Sequence, residues 1–172
     1  MRKTGGLIVL LAALLLAGCI STQEPPPEML PPAEARQAQL TRLFDQLGSA
    51  DEASAKTAAR EAAGGDDRDQ RFLVSLWGTR GRSPDGARRL GQALASGNRH
   101  DEALGWLERA YLALEAGNSL LPWLRYELAR EYLALGQKEH AVNLLATRLG
   151  VEPLPADLEA RYDALLAEAG RG

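Results

Sequence analysis

The sequence predicts an all-α protein, and three observations carry that prediction. Leucine and alanine dominate, while aromatic residues make up only 5% of the chain. No stretch alternates apolar and polar residues for long enough to build a half-buried strand. Glycines recur at intervals: Gly97, Gly117, Gly136, Gly150 and Gly170 each stand at or near the end of a segment whose apolar residues follow the helical period.

The first helix is expected from about Ala33 to Leu47, because Leu40, Leu43, Phe44 and Leu47 fall at i, i+3, i+4 and i+7 on one face. Gly48 ends it. Ser49 and Glu52 have the spacing of a capping box for a second helix through Ala63, whose face is mostly alanine. Side chains that small imply a close approach by a neighbouring helix. Gly64-Gly65 interrupts the chain, and a short helix carrying Phe72, Leu73, Leu76 and Trp77 follows. Segment 78–84 reads as a loop. In it Ser83 is the expected N-cap, and Pro84 takes the first helical position, where its missing N–H has no partner to lose. Further helices are expected at about 84–96, 101–116, 121–135, 137–149 and 155–169.

Two of the resulting hairpins share a template. Leu128, Ala129, Tyr132, Gly136, Ala141, Leu145 and Pro153 set it out, and Leu90, Gly91, Leu94, Ala103, Leu107 and Ala110 match it 38 residues earlier. Gly97 falls one residue early in the first of the two, and extra residues lie around Gly117-Asn118-Ser119. Leu40, Phe44, Gly48 and Ala53 match more weakly. These spacings resemble tetratricopeptide (TPR) repeats, the best units covering about 84–116 and 121–153. The helix at 155–169, with Leu158, Tyr162 and Leu165, resembles the one that caps such arrays. A helix pair cannot bury its own apolar face, so pairs stack, and small residues mark where backbones come close. Arg148 departs from the pattern, and the helix around Trp77 has no place in a strict repeat. The competing reading is an irregular helical bundle whose glycines and alanines coincide with the template.

The amino terminus has a different character. Arg2 and Lys3 precede an apolar run from Leu7 to Leu16, and Leu16-Ala17-Gly18-Cys19 closes it. Ten apolar residues fall short of the roughly 20 needed to span a bilayer, and Leu16 stands where ordinary secretory cleavage wants a small residue. The arrangement resembles the lipobox of bacterial lipoproteins. That resemblance implies a signal peptide at 1–18 and lipidation of Cys19, with an uncleaved anchor or plain secretion as alternatives. Five of the nine prolines lie between Pro25 and Pro32, so residues 19–32 read as a lipidated cysteine and an extended tether. Polyproline geometry lets 20–32 reach on the order of 40 Å. The expected domain is 33–172.

Composition excludes several functions. Without Arg2 and Lys3 the chain keeps 18 basic residues against 23 acidic ones, which gives no electrostatic case for nucleic acid. Its only cysteine is Cys19, so the domain has no disulfide and no thiolate ligand or nucleophile. His100, in a polar turn, and His140, on the outer side of a helix, read as solvated groups. Asp66-Asp67-Arg68-Asp69 does not follow the calcium-loop order and reads as a helix N-terminus. No serine-nucleophile motif occurs. The expectation is a non-enzyme with no metal and no cofactor.

What remains is surface. Arg68, Arg71, Arg80, Arg82, Arg88 and Arg89 crowd into 22 residues. They read either as solvated helix-flanking charges or as an anion patch, with Arg80 and Arg82 at its centre. TPR arrays that bind partners mostly use the face lined by the first helix of each pair. Carried over, this places Arg88, Gln92 and Ala95 from one unit, Trp123, Tyr126, Arg130 and Leu133 from the next, and Arg42 from the weak first unit in a partner-binding groove. Trp123 reads equally as a packing residue. The resemblances together imply an adaptor in the bacterial envelope, lipid-anchored, with an envelope protein or peptide segment as its partner. Ile20 after the modified cysteine points to the outer membrane, facing the periplasm, in a Gram-negative host. Relatives of this layout help assemble secretion or pilus systems, support outer-membrane insertion machinery or regulate peptidoglycan synthesis, and the resemblance favours the first. The alternative is a regulatory partner of a cell-wall or outer-membrane assembly enzyme, or an envelope enzyme itself.

Overall fold

The computed structural model describes residues 32–146 and 154–170. Among them are eight helices and no strand: α1 (Pro32–Leu47), α2 (Glu52–Ala63), α3 (Asp67–Thr79), α4 (Pro84–Ser96), α5 (His100–Leu112), α6 (Leu121–Ala134), α7 (Lys138–Ala146) and α8 (Ala156–Ala169). The chain is an all-α array of helical hairpins. Within it, α4 packs on α5 and α6 on α7, α2 lies against α4, α5 against α6, and α8 covers α6 and α7.

Three of the helix starts follow from side-chain caps. Ser83 caps α4 by accepting the Gly86 N–H at 3.1 Å, with Pro84 in the first turn. Asp66 caps α3, accepting from the N–H groups of Arg68 and Asp69. The cap of α2 is Asp51 and not the expected Ser49. Its carboxylate accepts from the N–H groups of Ala53 and Ser54 and from the Ser54 hydroxyl, and these bonds hold it below the usual carboxylate range. A charged acceptor wins over a hydroxyl two residues earlier. Ser49 accepts the Asp51 N–H instead.

The helix expected to run to residue 116 stops at Leu112. Leu112 itself is 81% exposed, while Tyr111, Ala113 and Leu114 on either side still pack against the core as the chain leaves the helix. The chain turns through Gly117 at a φ of +87° and Asn118, whose side chain accepts the Leu120 N–H. Gly150, Pro153 and the end of the helix expected to reach 149 lie outside the described residues.

The core forms two clusters that meet on α6. Leu40, Leu47, Leu73, Leu90, Leu94, Leu107 and Leu124 are buried in the first, together with Trp77 and Trp106, and Leu128 of α6 belongs to it. Ala129, the next residue, belongs to the second with Ala141, Leu145, Leu158, Tyr162 and Leu165. Each buried leucine contributes about 1.5–3 kcal/mol over an exposed one. The α2 face is alanine as expected, with Ala55, Ala58, Ala59 and Ala62 all buried.

The hairpins α4–α5 and α6–α7 repeat in detail. At the α4 end, Asn98 N–H donates to Ala95 O and Arg99 N–H to Leu94 O, both at 3.0 Å. At the α6 end, Gly136 N–H donates to Leu133 O and Gln137 N–H to Tyr132 O, at 2.9 and 2.7 Å. Both sets form the paired closure of a Schellman turn, whose pivot takes a left-handed conformation. Asn98 has φ +60° and Gly136 φ +73°. The pivots are 38 residues apart, so the position left vacant by the early Gly97 is filled by asparagine, the side chain that best tolerates that region after glycine. The α1–α2 turn does not follow this plan: Gly48 has no positive φ, and Ala53 is exposed where Ala103 and Ala141 are buried.

Candidate functional site

The groove residues expected on α4 and α6 are brought together in part. Arg88 and Gln92 stand one turn apart on α4 and reach the same carboxylate, Glu127 on α6. Arg88 Nε lies 3.0 Å from both Glu127 oxygens, its Nη2 2.6 Å from Oε1, and Gln92 Nε2 donates to Oε1 at 2.7 Å. The Arg88 side chain is 23% exposed and that of Glu127 12%. Arg88, expected in a partner-binding groove, is therefore a half-buried clamp between hairpins whose guanidinium is already taken up by Glu127. A forked, charge-assisted contact of this kind is stronger and more directional than a neutral hydrogen bond.

Trp123 and Tyr126 turn toward α8. The Arg161 guanidinium lies 5.6 Å from the Trp123 ring, and Tyr126 stacks on Tyr162 with centroids 6.3 Å apart. Tyr162 in turn donates to the Pro122 carbonyl at 2.7 Å. Both aromatics are half-buried against the second core cluster, so the packing role accounts for much of Trp123. Arg130, one turn beyond Glu127, is exposed.

The clustered arginines do not share one surface. Arg88 faces α6. Arg89, its neighbour, donates to Leu47 O and Ser49 O and pairs with Glu52, closing α4 onto the α1–α2 turn. That pairing, with Lys56 assisting, lowers the Glu52 carboxyl below its ordinary value. Arg80 pairs with Asp45 at 3.0 Å across exposed surface. Arg80 and Arg82, the expected anion patch, stand at the mouth of a cavity of about 250 Å³ between α1, the end of α3 and the start of α4. Its wall includes Phe44, Leu47, Trp77 and Trp106.

Several residues that position these surfaces were not singled out from the sequence. Glu127 is one. Another is Gln70, buried, which donates to Ala62 O at 2.8 Å and accepts from Trp106 Nε1 at 3.3 Å, fixing the indole from behind. The solvated reading of His100 is overturned: its Nδ1 lies 2.7 Å from Oε2 of Glu131, which is only 4% exposed. A carboxylate taken out of water requires a partner, and the first turn of α5 supplies it. His140 is exposed as expected, yet it stacks on Tyr132 at 5.3 Å. Burial, followed by the bond to Glu108, pushes the Tyr132 hydroxyl up to about 12, so it stays a donor at neutral pH.

Among the described residues no group of three or more histidine, cysteine or carboxylate side chains is placed to hold a metal ion, and no helix is long and apolar enough to cross a membrane. Cys19 lies outside the described residues. No protein-family model matches the chain, and neither the curated proteins nor the solved structures contain a significant match.

Proposed function

We propose that this protein is a lipid-anchored adaptor of the bacterial envelope that holds a segment of a partner protein and catalyses no reaction itself. The observation that carries this reading is the pair of hairpins repeating the same turn 38 residues apart, stacked so that α4 and α6 present neighbouring faces. Arrays of repeated helical pairs display side chains over an extended surface and commonly act by binding. Their spacing supports a TPR relationship. The run closing at Cys19 supports lipidation, and the tether of prolines supports display away from a membrane surface.

On this reading the binding face is what the clamp leaves accessible: exposed Arg130 and the solvent edge of Trp123 beside the Arg88–Glu127 pair. Aromatic and arginine side chains are over-represented among residues that dominate interfaces. Of the pathways open to such an adaptor, assembly of a secretion or pilus system is favoured, at the periplasmic side of an outer membrane.

Two linked measurements test this. Metabolic labelling with an alkynyl fatty acid should tag the wild-type chain and leave Cys19→Ser unlabelled. Because two or more acyl chains anchor stably where one is marginal, the wild type should leave membranes only in detergent. In-cell crosslinking should then capture a defined envelope protein. Arg130→Glu should weaken that capture with the thermal midpoint unchanged. An unmodified mature terminus would end the lipoprotein reading, and capture indifferent to Arg130→Glu would end the assignment of the face.

A further inference from the structure

The cavity between α1, α3 and α4 has a composition that selects a ligand. Its floor is apolar: Trp77 and Trp106 meet edge to face with centroids 6.1 Å apart and an interplanar angle of 89°, and Phe44 and Leu47 complete the wall. The floor is also held in place, since Gln70 fixes the Trp106 indole and Arg109 lies 5.4 Å from the Trp106 ring. A volume of about 250 Å³ falls below the range of about 300–1,000 Å³ usual for cofactor and drug-sized sites. It suits one bulky side chain.

The rim is polar and asymmetrically charged. Arg80 is tied to Asp45, which leaves that pair neutral. Arg82 is exposed and has no ion-pair partner among the described residues. The N-terminus of α4, capped by Ser83, contributes a further partial positive charge at the same mouth. An apolar floor under a rim with one unpaired arginine disfavours a basic ligand and favours an apolar group flanked by carboxylates.

We infer that this cavity is a peptide-docking pocket that takes one large apolar side chain, aromatic by preference, from a partner segment whose flanking residues are acidic. The inference deepens the adaptor reading and rests on it only in assuming that the partner presents a peptide. In this arrangement the side chain packs against the wall that includes Phe44, Trp77 and Trp106, and a neighbouring carboxylate pairs with Arg82. Asp45 opposes the ligand twice over, by its own charge and by occupying Arg80.

The chain contains three tryptophans, Trp77, Trp106 and Trp123, and this makes the test specific. Indole N–H resonances of the ¹⁵N-labelled full chain in detergent micelles are followed during titration with acetyl-EDFDE-amide, acetyl-KKFKK-amide and acetyl-EDADE-amide. The first peptide should move the Trp77 and Trp106 signals and spare Trp123, and the other two should bind at least about tenfold more weakly, which is about 1.4 kcal/mol. Arg82→Ala should weaken the first peptide about two- to fivefold, the range of an exposed ion pair. Asp45→Asn should tighten it by a similar factor, a gain that a misfolded variant does not mimic. Added salt should weaken it.

Movement of Trp123 alone would put the peptide on the α6 face and overturn the pocket while leaving the adaptor reading standing. Equal binding of the basic peptide, no response to Asp45→Asn, or no movement of any indole signal would overturn the pocket as well. In each of those cases the adaptor reading is decided separately, by the crosslinking experiment.

Discussion

The hairpins α4–α5 and α6–α7 are built to one plan and differ at the point where their helices cross. In the first, Gly91 lies against α5 so closely that a Cβ there would stand 2.8 Å from Leu107 Cγ and 3.2 Å from the Ala103 carbonyl oxygen. In the second, the equivalent residue is Ala129, buried with its methyl group in place, facing Ala141 and Leu145. One hairpin is closed by removing a side chain and the other accommodates a small one. The two also differ in charge. The first supplies the cation and the imidazole, Arg88 and His100, and α6 of the second supplies both carboxylates, Glu127 and Glu131. The repeat sets where the helices lie, and what departs from the repeat fastens one unit to the next.

The largest effect should come from the leucines that both hairpins share. Leu107→Ala and Leu145→Ala each empty a fully buried site, and each should destabilise by about 2–5 kcal/mol in denaturant unfolding. Leu107 also fills the space above Gly91, so the first should be the costlier. A negligible loss at either position would break the equivalence of the two hairpins.

The crossing residues should respond unequally. Gly91→Ala forces a methyl group into the Leu107 side chain and should cost about 1–3 kcal/mol by overpacking, against the usual helix-favouring sign of a glycine-to-alanine change. Ala129→Gly should cost only about 1 kcal/mol, the backbone penalty of glycine in a helix, plus a small void. Similar costs with the same origin would mean that the hairpins close at equal distance.

The turns give the smallest and most symmetrical contrast. Gly136→Ala should lose about 1 kcal/mol, because alanine is strained at φ +73°. Asn98→Gly should be neutral or slightly stabilising, and Asn98→Ala should lose a comparable amount to Gly136→Ala. Thermal midpoints of the three variants check this. A silent Asn98→Ala would separate the two turns.

Much of this plan was legible in the residue order. Helix positions follow from apolar period and from Ser83-Pro84, and the resemblance to the repeat template implies a core place for Ala141 and Leu145, both of which are buried. The shared turn is half visible in the sequence, because Gly97 stands beside the left-handed pivot and Asn98 occupies it. The site was less legible. The helical period puts Arg88 and Gln92 together on one face of α4, but the carboxylate both reach, Glu127, is far along the chain, and nothing local to it marks it as a clamp. A faint signal existed: at a period of 38, Arg88 corresponds to Tyr126, next to Glu127. His100 looked solvated because its neighbours are polar, while Glu131 is buried only once α5 and α6 have packed. The pocket was invisible, since Phe44, Trp77 and Trp106 come from three separate helices. Long-range pairing of charged groups leaves no periodic trace.

The Arg88–Glu127 pair fastens the hairpins across their neighbouring faces, and a double-mutant cycle measures that fastening. Unfolding free energies would be measured for the wild type, Arg88→Ala, Glu127→Ala and the double variant. Each single change should cost about 1.5–3 kcal/mol, as for hydrogen bonds to charged groups. The double variant should cost clearly less than the two together, with a coupling of about 1–3 kcal/mol. Additive losses, with coupling indistinguishable from zero, would mean that the pair does not fasten the hairpins.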